Sequence, residues 1–336
     1  MSWVVDTRER PLRDLRVSVT DRCNLRCRYC MPREVFGPGF EFVPRAELLT
    51  FEEITRVVAA SARLGVTKVR ITGGEPLLRK DLPDLMALLA AVPGVEDLAM
   101  TTNGLLLAEA ASALREAGVD RLTVSLDALD DATFQTMSDT RRPVSDVLEG
   151  IEAAVAAGFP PPKINTVVRR GVNEHSVLEL AMYGRETGST VRFIEYMDVG
   201  HSNGWDRREV VPAAELLAAI GERWDIEPVA ERDRAPAERY AYVDGAGEVG
   251  VVASVTRPFC RTCVRARLSA VGELFTCLFA TTGHDLRAVL RSDDGDEELQ
   301  ATLERIWSGR DDRYSEARTA ATSDDPDRIE MSYIGG

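Results

Sequence analysis

The stretch CNLRCRYC, residues 23–30, places three thiols within eight residues, at Cys23, Cys27 and Cys30. It directly follows a β-branched run, residues 15–20, that predicts the first strand of the fold. Thiolates are soft ligands suited to iron–sulfur clusters or zinc, and spacing this short lets one loop surround a single metal centre. The spacing alone leaves both open. Zinc would need a fourth ligand from elsewhere, whereas a four-iron cluster would keep one iron without a protein ligand.

The other three cysteines form a second triplet, Cys260, Cys263 and Cys277, so all six cysteines of the chain belong to one of two groups. Such clustering in a chain with so few cysteines disfavours unliganded thiols. The second spacing, Cys-x2-Cys-x13-Cys, again supplies three thiolates, and the missing fourth counts against a closed zinc ribbon. The pattern therefore predicts two metal centres, each with an open coordination position.

Composition indicates an ordinary globular protein of 336 residues, 44% apolar and 29% charged, with room for an α/β barrel and a further module. The N-terminus is charged before any apolar segment begins, and no apolar run approaches the roughly 18 residues of a membrane helix. We therefore predict a cytoplasmic protein with reduced thiols. A net charge of −14 argues against general affinity for nucleic acid or an acidic membrane. Nearly all positive charge is arginine, whose planar head suits a polyphosphate.

Outward from the cysteine loop, strand patterns alternate with helical patterns about every thirty residues. Strands are predicted at residues 15–20, 68–72, 98–102, 121–126, 163–168 and 191–196. Helices are predicted from residue 50, at 82–91, up to 117, and at 131–137, 144–157 and 176–186. Six βα units predict an α/β fold with a parallel sheet, either open and doubly wound or an incomplete barrel. Both architectures place sites beyond the carboxyl ends of the strands.

The alternation ends near residue 210, which divides the chain into a predicted barrel, residues 1–210, and a C-terminal region, residues 211–336. That region is predicted to contain a helix at 213–223, an exposed connection at 227–239, and a hairpin with strands at 240–243 and 249–255. The acidic stretches 291–298 and 319–327 are predicted to be solvated loops. An apolar segment, 329–334, precedes the terminal Gly335 and Gly336.

The first triplet, with Tyr29 before its last cysteine, resembles the signature loop of the radical S-adenosylmethionine superfamily. The resemblance implies an incomplete parallel (β/α)6 barrel of the TIM type. It also implies a [4Fe–4S] cluster whose open iron chelates the amino and carboxylate groups of S-adenosylmethionine, and one electron that cleaves it to a 5′-deoxyadenosyl radical. The sequence GGEP, residues 73–76, resembles the superfamily segment that contacts the methionyl amine. A tight strand-to-helix turn is compatible with the same residues.

The second triplet, with Arg265, Arg267 and the Gly-Gly tail, resembles the C-terminal cluster motif of the MoaA-type GTP 3′,8-cyclases, which open molybdenum cofactor biosynthesis. The resemblance covers essentially the whole chain. It implies a C-terminal extension carrying a second [4Fe–4S] cluster whose open iron takes the guanine of GTP. It also implies a lyase reaction in which the radical abstracts the ribose 3′ hydrogen, the carbon radical attacks guanine C8, and one electron reduces the intermediate. The product would be (8S)-3′,8-cyclo-7,8-dihydroguanosine 5′-triphosphate, and its formation would be the first step of molybdopterin biosynthesis.

The resemblance assigns roles to individual positions. The two clusters would be held by Cys23, Cys27, Cys30, Cys260, Cys263 and Cys277. S-adenosylmethionine would contact Tyr29, Gly74, Ser125 and Met197. GTP would contact Arg16, Arg70, Thr101, Lys163, Arg265, Ala266 and Arg267. The catalytic set would comprise Arg16, Arg265, Arg267, Gly335 and Gly336.

The Gly-Gly terminus has three interpretations. In the cyclase family it reaches into the active site, where the absence of a Cβ suits a narrow channel. In ubiquitin-like sulfur carriers such an end is adenylated, although that small fold lacks cysteine triplets. A frayed terminus is the third interpretation.

Two other functional classes share some of these features. An electron-transfer protein with two clusters is disfavoured because each triplet leaves an iron unligated. A radical S-adenosylmethionine enzyme that modifies peptides through an auxiliary-cluster domain usually carries more cysteines there. The expected partners of a cyclase are GTP, a one-electron donor, and the cyclic pyranopterin monophosphate synthase that receives the product. A homodimer is compatible with the sequence, and neither a membrane nor a nucleic acid is expected as a partner.

Overall fold

The computed structural model describes residues 3–229, 235–293, 295–319 and 325–335. The strands are β1 Asp14–Ser18, β2 Lys68–Thr72, β3 Asp97–Thr102, β4 Arg121–Ser125, β5 Lys163–Val168, β6 Val191–Glu195, β7 Ile226–Pro228, β8 Glu238–Tyr242, β9 Glu248–Val252, β10 Arg265–Leu268, β11 Glu273–Phe275 and β12 His284–Asp285. The helices are α1 Phe51–Arg63, α2 Leu82–Ala90, α3 Leu107–Glu116, α4 Asp131–Ser138, α5 Ser145–Ala156, α6 Val177–Thr187, α7 Ala213–Gly221, α8 Arg287–Leu290, α9 Gly295–Ser308, α10 Tyr314–Ala317 and α11 Met331–Ile334. Each of the six strands predicted before residue 210 is present.

The strands form one sheet in the order β12-β11-β10-β1-β2-β3-β4-β5-β6-β9-β8-β7. Strands β1 to β6 are parallel neighbours in chain order, as the βα pattern predicts. The C-terminal region adds β10 parallel to β1 at one side and β9 parallel to β6 at the other. Among the described residues the sheet has two ends, which confirms an α/β fold of the incomplete-barrel type with a C-terminal extension.

Strand alternation separates the core from the concave face of this sheet. In β2, Val69 and Ile71 are fully buried and pack in the main apolar core, whereas Lys68 and Arg70 line a cavity on the opposite side. Because successive side chains of a strand point to opposite faces, one strand serves both the core and a site. The charged residues of the parallel strands are thereby directed into the cavity.

The helices that cover the outer face begin and end where local chemistry predicts. Before α1, the Thr50 hydroxyl accepts from the Glu53 backbone N–H at 3.1 Å, and the Glu53 carboxylate accepts from the Thr50 N–H at 2.8 Å. This reciprocal capping box satisfies two backbone donors that a helix start leaves free. Behind it, Val57 and Val58 are fully buried in the core.

The hairpin predicted near residues 240–255 is confirmed as β8 paired with β9, but its pairing with β6 was not predicted. Two loop predictions were wrong. The predicted connection 227–239 begins in β7 and ends in β8, although residues 230–234 lie outside the described residues. The acidic stretch 291–298 does not remain a loop, because α9 begins at Gly295 and carries Asp296, Glu297 and Glu298 in its first turn. Negative charge at a helix N-terminus is stabilised by the helix dipole. Part of the stretch 319–327 lies outside the described residues.

Candidate active site

Both cysteine triplets line one cavity of about 1150 Å³ on the concave face of the sheet. Most of the residues that the sequence singled out surround the same space. Those that line it are Arg16, Cys23, Cys27, Tyr29, Cys30, Arg70, Gly74, Thr101, Ser125, Lys163, Met197, Cys260, Cys263, Arg265, Arg267 and Cys277. The fold thus brings together two loops that are more than two hundred residues apart in sequence.

None of the six cysteines forms a disulfide, and all are half-buried. Within the described ranges, no three His, Cys, Asp or Glu side chains are arranged to hold a single metal ion.

In the same part of the chain, no helix combines the length and the apolar character needed to cross a membrane.

Amide, hydroxyl and carboxyl groups surround the first triplet. The Asn103 side-chain amide donates to the Cys23 sulfur at 3.8 Å. The Tyr29 hydroxyl donates to Asp127 Oδ2 at 2.8 Å, and Asp127 Oδ1 accepts from the Val167 backbone N–H at 2.9 Å. Tyr29 is therefore fixed to the carboxyl ends of β4 and β5 rather than left free on its loop.

Glu75 is the acid of the GGEP segment, and it is only 1% exposed. Its carboxylate accepts from the Thr102 hydroxyl at 2.7 Å and from the backbone N–H groups of Asn103 and Leu77 at 2.8 and 3.1 Å. Burial nevertheless raises the pKa of Glu75 to about 7. A partly desolvated carboxylate in a cavity wall is suited to pair with a cationic ligand group.

Gly74 is required where the turn after β2 meets the cysteine loop. A Cβ at this position would overlap the backbone carbonyl of Arg22, and the Gly74 N–H donates to the Thr20 carbonyl at 2.7 Å. The segment is thus a tight turn and part of the cavity wall at once, so the two interpretations of its sequence are compatible.

Two buried arginines donate hydrogen bonds to the backbone of the second cysteine loop. Arg10 Nη1 donates to the Cys260 carbonyl at 2.8 Å, and Arg310 Nη1 donates to the Cys263 carbonyl at 2.9 Å. Both guanidinium groups pair with the buried carboxylate of Asp6, at 2.6 and 3.3 Å. This Arg–Asp–Arg group anchors the second cysteine loop to the N-terminal segment and to the end of α9.

The thiols of the two triplets differ in acidity. Burial, aided by the nearby carboxylate of Glu75, raises the pKa of Cys23 to about 11. Burial also acts on Cys263, but Arg265 and Arg310 outweigh it and lower the pKa of that thiol to about 6. Cys277 of the second triplet behaves differently from Cys263, because burial and the nearby Asp312 raise its pKa to about 12. The arginines therefore set Cys263 apart from Cys23, rather than one whole loop from the other.

Strand register aligns the cations of the cavity into a row. Arg16 of β1 lies opposite Arg267 of β10 on one side and opposite Arg70 of β2 on the other. Further along the sheet, Asn165 of β5 lies opposite Arg192 of β6. Because neighbouring strands are about 4.8 Å apart, these side chains form a polar belt across the concave face, which is interrupted at Ala99 opposite Arg70.

The cationic side chains of the belt are not fully neutralised by the carboxylates near them. Burial, followed by repulsion from Arg265, lowers the pKa of Arg16 to about 9. Burial and Arg192 lower the pKa of Arg70 to about 10 and that of Lys163 to about 8. Such repulsion favours a bound polyanion.

Several belt donors also lack an acceptor. The buried Nε atoms of Arg16, Arg192 and Arg267 have no hydrogen-bond partner. A buried donor left unpaired costs about 1–3 kcal/mol, and more when it is charged. By contrast, Arg70 Nη1 donates to the hydroxyls of Thr101 and Thr123 at 3.0 and 3.1 Å. The unpaired atoms indicate where ligand acceptors belong.

Three predicted residues differ from the rest. Ala266 does not line the cavity, because alternation along β10 directs its side chain into the core, where it is 1% exposed. A substrate contact through its backbone remains a prediction. Gly335 lies beside the cavity, and a Cβ there would come within 2.5 Å of Thr72 Cγ2. Gly336 lies outside the described residues.

Sequence reasoning missed Arg192, Asn165 and Arg310, all of which line the cavity. For Arg192 a signal was present, because it lies inside the strand predicted at 191–196 of a buried parallel sheet. A charge in such a strand must face a site or a partner. Arg310 carries no comparable signal, since it lies just beyond α9 and reaches the second loop only through the tertiary fold.

Comparison with known proteins places this geometry in a family. Residues 17–183 match the radical SAM superfamily model, and residues 189–316 match the Molybdenum Cofactor Synthesis C model. The GTP 3′,8-cyclase of Acidothermus cellulolyticus is 57% identical over 98% of this chain and 98% of its own length. The chain belongs to the GTP 3′,8-cyclase family of radical S-adenosylmethionine enzymes.

Other relatives and structures agree. GTP 3′,8-cyclases of Xanthomonas axonopodis pv. citri and Staphylococcus saprophyticus are 51% and 47% identical, over 97% and 99% of both chains. The crystal structure of Streptococcus suis SuiB bound to S-adenosylmethionine has a TM-score of 0.60 at 15% identity, covering 88% of this chain and 68% of that one. This likeness supports the fold. Membership of the superfamily implies a [4Fe–4S] cluster and S-adenosylmethionine as cofactors.

Proposed function

We propose that this chain converts GTP to (8S)-3′,8-cyclo-7,8-dihydroguanosine 5′-triphosphate. The observation that carries the proposal is the in-register row Arg267, Arg16 and Arg70, which faces the same cavity as both cysteine triplets. GTP carries about four negative charges, and an acidic protein must concentrate its cations locally to bind it. The row supplies that concentration.

Each triplet suits an iron–sulfur cluster with one open iron. Cys23, Cys27 and Cys30 would hold the first, and the second would be held by Cys260, Cys263 and Cys277. Three soft thiolates, half-buried and facing a shared cavity, fit such a group. When bound, the first cluster and S-adenosylmethionine would supply the 5′-deoxyadenosyl radical for removal of the 3′ hydrogen of GTP, and one electron with one proton would complete the bond between C3′ and C8.

On the first-triplet side, the chain holds a cationic cofactor. Glu75 is the acid placed to accept from the methionyl amino group, beside Gly74 on the cavity wall. Tyr29, Ser125 and Met197 would complete the contacts to S-adenosylmethionine. Their common position on the cavity wall supports these roles.

On the second-triplet side, the chain holds the nucleotide. The triphosphate would be bound by Arg16, Arg70, Lys163 and Arg192. The Nε atoms of Arg16 and Arg192 have no acceptor in the protein. Burial and repulsion from neighbouring cations lower the pKa of Arg70 and of Lys163. Arg265 and Arg267 would keep the guanine end beside the second triplet, since Arg265 Nη2 lies 3.5 Å from the Cys263 sulfur. Positioning of C3′ towards the first triplet follows from binding GTP at one end of a shared cavity.

The proposal includes partners and place. The chain would act in the cytoplasm, receive single electrons from a separate donor, and deliver its product to cyclic pyranopterin monophosphate synthase. Gly335 and Gly336 would lie near the reacting groups, as the position of Gly335 beside Thr72 supports. The division at residue 210 would separate the radical-forming barrel from the nucleotide-binding region.

Anaerobic turnover tests the function directly. One hydrogen leaves C3′ while one electron and one proton arrive, so the product is an isomer of GTP. Reconstituted protein with S-adenosylmethionine, dithionite and GTP deuterated at C3′ should yield that isomer on chromatography with mass detection, and one deuterium in 5′-deoxyadenosine. Cluster-loaded protein that cleaves S-adenosylmethionine without either signal would reject GTP cyclisation.

A further inference from the structure

The C-terminal tail, residues 325–335, lies along the cavity wall. Met331 and Ser332 of α11 line the cavity, and Ile334 is fully buried. The Tyr333 hydroxyl donates to Glu273 Oε2 at 2.6 Å, and the Ile329 N–H donates to the Ala280 carbonyl at 3.1 Å. The tail is therefore seated by specific contacts.

Asp198 is the centre of the contacts that begin this seat. It is 1% exposed and accepts from Tyr314 OH at 2.6 Å, from Arg318 Nε at 2.9 Å, and from Arg328 Nη1 at 3.2 Å. Arg328 Nη1 also donates to the Asp198 backbone carbonyl, and Arg328 Nη2 donates to the Tyr314 hydroxyl. One buried carboxylate thus joins three donors, of which Arg328 belongs to the tail.

Aromatic rings complete this group. Phe279 stacks on Tyr314 with ring centroids 4.4 Å apart, and the Arg328 guanidinium lies 4.6 Å from the Tyr314 ring centroid. Phe279 follows Cys277 closely and lines the cavity. Stacking on aromatic faces and charge-assisted hydrogen bonds are the interactions that arginine makes best when it is desolvated.

The segment after β6 holds the tail at a second point. Glu330 Oε1 accepts from the backbone N–H groups of His201 and Ser202 at 3.3 and 3.1 Å. Met197, which lines the cavity, directly precedes Asp198 in the same segment. A single stretch of chain therefore contributes to the cavity wall and fixes the tail through both side chain and backbone.

We infer that Asp198 is a positioning residue of the cyclisation, acting through Arg328 to seat the tail in the cavity and to keep it in register with Met197. The inference rests on the proposed function for its catalytic consequence. Its structural consequence, a tail that is held less firmly when the buried carboxylate is removed, does not depend on which reaction occurs.

Replacement of Asp198 by asparagine tests this role. The amide nitrogen of D198N would face one of the three donors, which leaves a donor against a donor in a buried site. In the cluster-loaded protein, carboxypeptidase Y should then remove C-terminal residues at least tenfold faster. The yield of cyclised GTP per S-adenosylmethionine cleaved should fall roughly 10- to 100-fold. D206N is the matched control, since Asp206 lies in the same segment but pairs with the exposed Arg208.

A truncated chain separates positioning from general damage. In a variant lacking residues 325–336, D198N should lower the yield no further, because effects carried by one contact are not additive. Additive losses, or unchanged carboxypeptidase sensitivity in D198N, would overturn the inference. If D198N fails to fold, Tyr314→Phe is the alternative variant, since it keeps the stack on Phe279 but loses the hydroxyl that bonds to Asp198 and Arg328. Carboxypeptidase Y should then remove the tail faster than in the wild type, but by less than in D198N. Sensitivity equal to that of the wild type would overturn the inference. If the wild type makes no cyclised GTP, the proposed function fails while the carboxypeptidase comparison still decides the role of Asp198.

Discussion

The two cysteine triplets line the same cavity but have different charged neighbours. Beside the first are the acids Glu75 and Asp127, and burial raises the pKa of both carboxyl groups, to about 7 and about 6. Beside the second are arginines that lower the pKa of Cys263 to about 6. Carboxyl groups therefore lie beside the first group of thiols and disfavour their ionisation, whereas arginines favour the ionised form of Cys263 in the second.

From this difference we propose which ligand binds at each end. S-adenosylmethionine presents an amino group and a sulfonium, which suit the acidic end, whereas GTP presents a triphosphate, which suits the arginine row. The chain as a whole carries a net charge of −14, so the positive end is a local feature built by strand register. We therefore propose that the cofactor and the nucleotide bind at different ends of the cavity.

The largest effect is expected from removing one triplet at a time. With Cys260, Cys263 and Cys277 replaced by serine, cyclised GTP should disappear, since the guanine loses its site, while slow uncoupled cleavage of S-adenosylmethionine continues. The same change at Cys23, Cys27 and Cys30 should abolish both. Iron analysis after anaerobic reconstitution should give about eight irons per wild-type chain and about four in each variant. A zinc protein without iron would contradict the assignment.

The next effect concerns Arg265 and Arg267. Replacing both by alanine should lower the rate of cyclisation by about 10²- to 10³-fold, because two hydrogen-bond donors that stabilise negative charge in a desolvated site are lost. The yield of 5′-deoxyadenosine measured in parallel should change little. Equal loss of both products in protein with intact clusters would mean that these arginines do not serve the substrate end alone.

A smaller effect is expected at Glu75. Glu75→Gln removes a charged acceptor and should weaken S-adenosylmethionine binding roughly tenfold or more. In the wild type, a cation binds the ionised carboxylate, so affinity should rise as the pH increases through about 7, the pKa of this group. Calorimetric titration between pH 6 and pH 8 should show this slope, and Glu75→Gln should lose it.

GTP binding should show the opposite slope at a higher pH. The pKa of Lys163 is lowered to about 8 by burial and by Arg192, Arg121, Lys68 and Arg70. A polyanion binds the protonated amine, so GTP affinity should fall as the pH rises through about 8, by at most tenfold per pH unit for one proton. Lys163→Arg should flatten the profile. Parallel slopes for the two ligands would contradict the division of the cavity.

The sequence predicts more of the site than of the sheet edges. Arg16 and Arg70 lie in predicted strands, so their position at the cavity follows from alternation. The place of Arg267 opposite Arg16 could not be predicted, because β10 pairs with β1 over about 250 residues of intervening chain and local patterns carry no information on such pairing. The pairing of β9 with β6 and the contact of Arg310 with the second cysteine loop could not be predicted either, because both join residues far apart in sequence. The helical part of the acidic stretch 291–298 was not predicted, because the favourable interaction of Asp296, Glu297 and Glu298 with the helix dipole was not considered.

Electron paramagnetic resonance of single-cluster variants tests the division of the cavity most directly. In protein that keeps only Cys260, Cys263 and Cys277, the spectrum of the reduced cluster should change on addition of GTP and stay unchanged with S-adenosylmethionine. In protein that keeps only Cys23, Cys27 and Cys30, the reverse should hold. A GTP response confined to the first-triplet cluster would contradict the account.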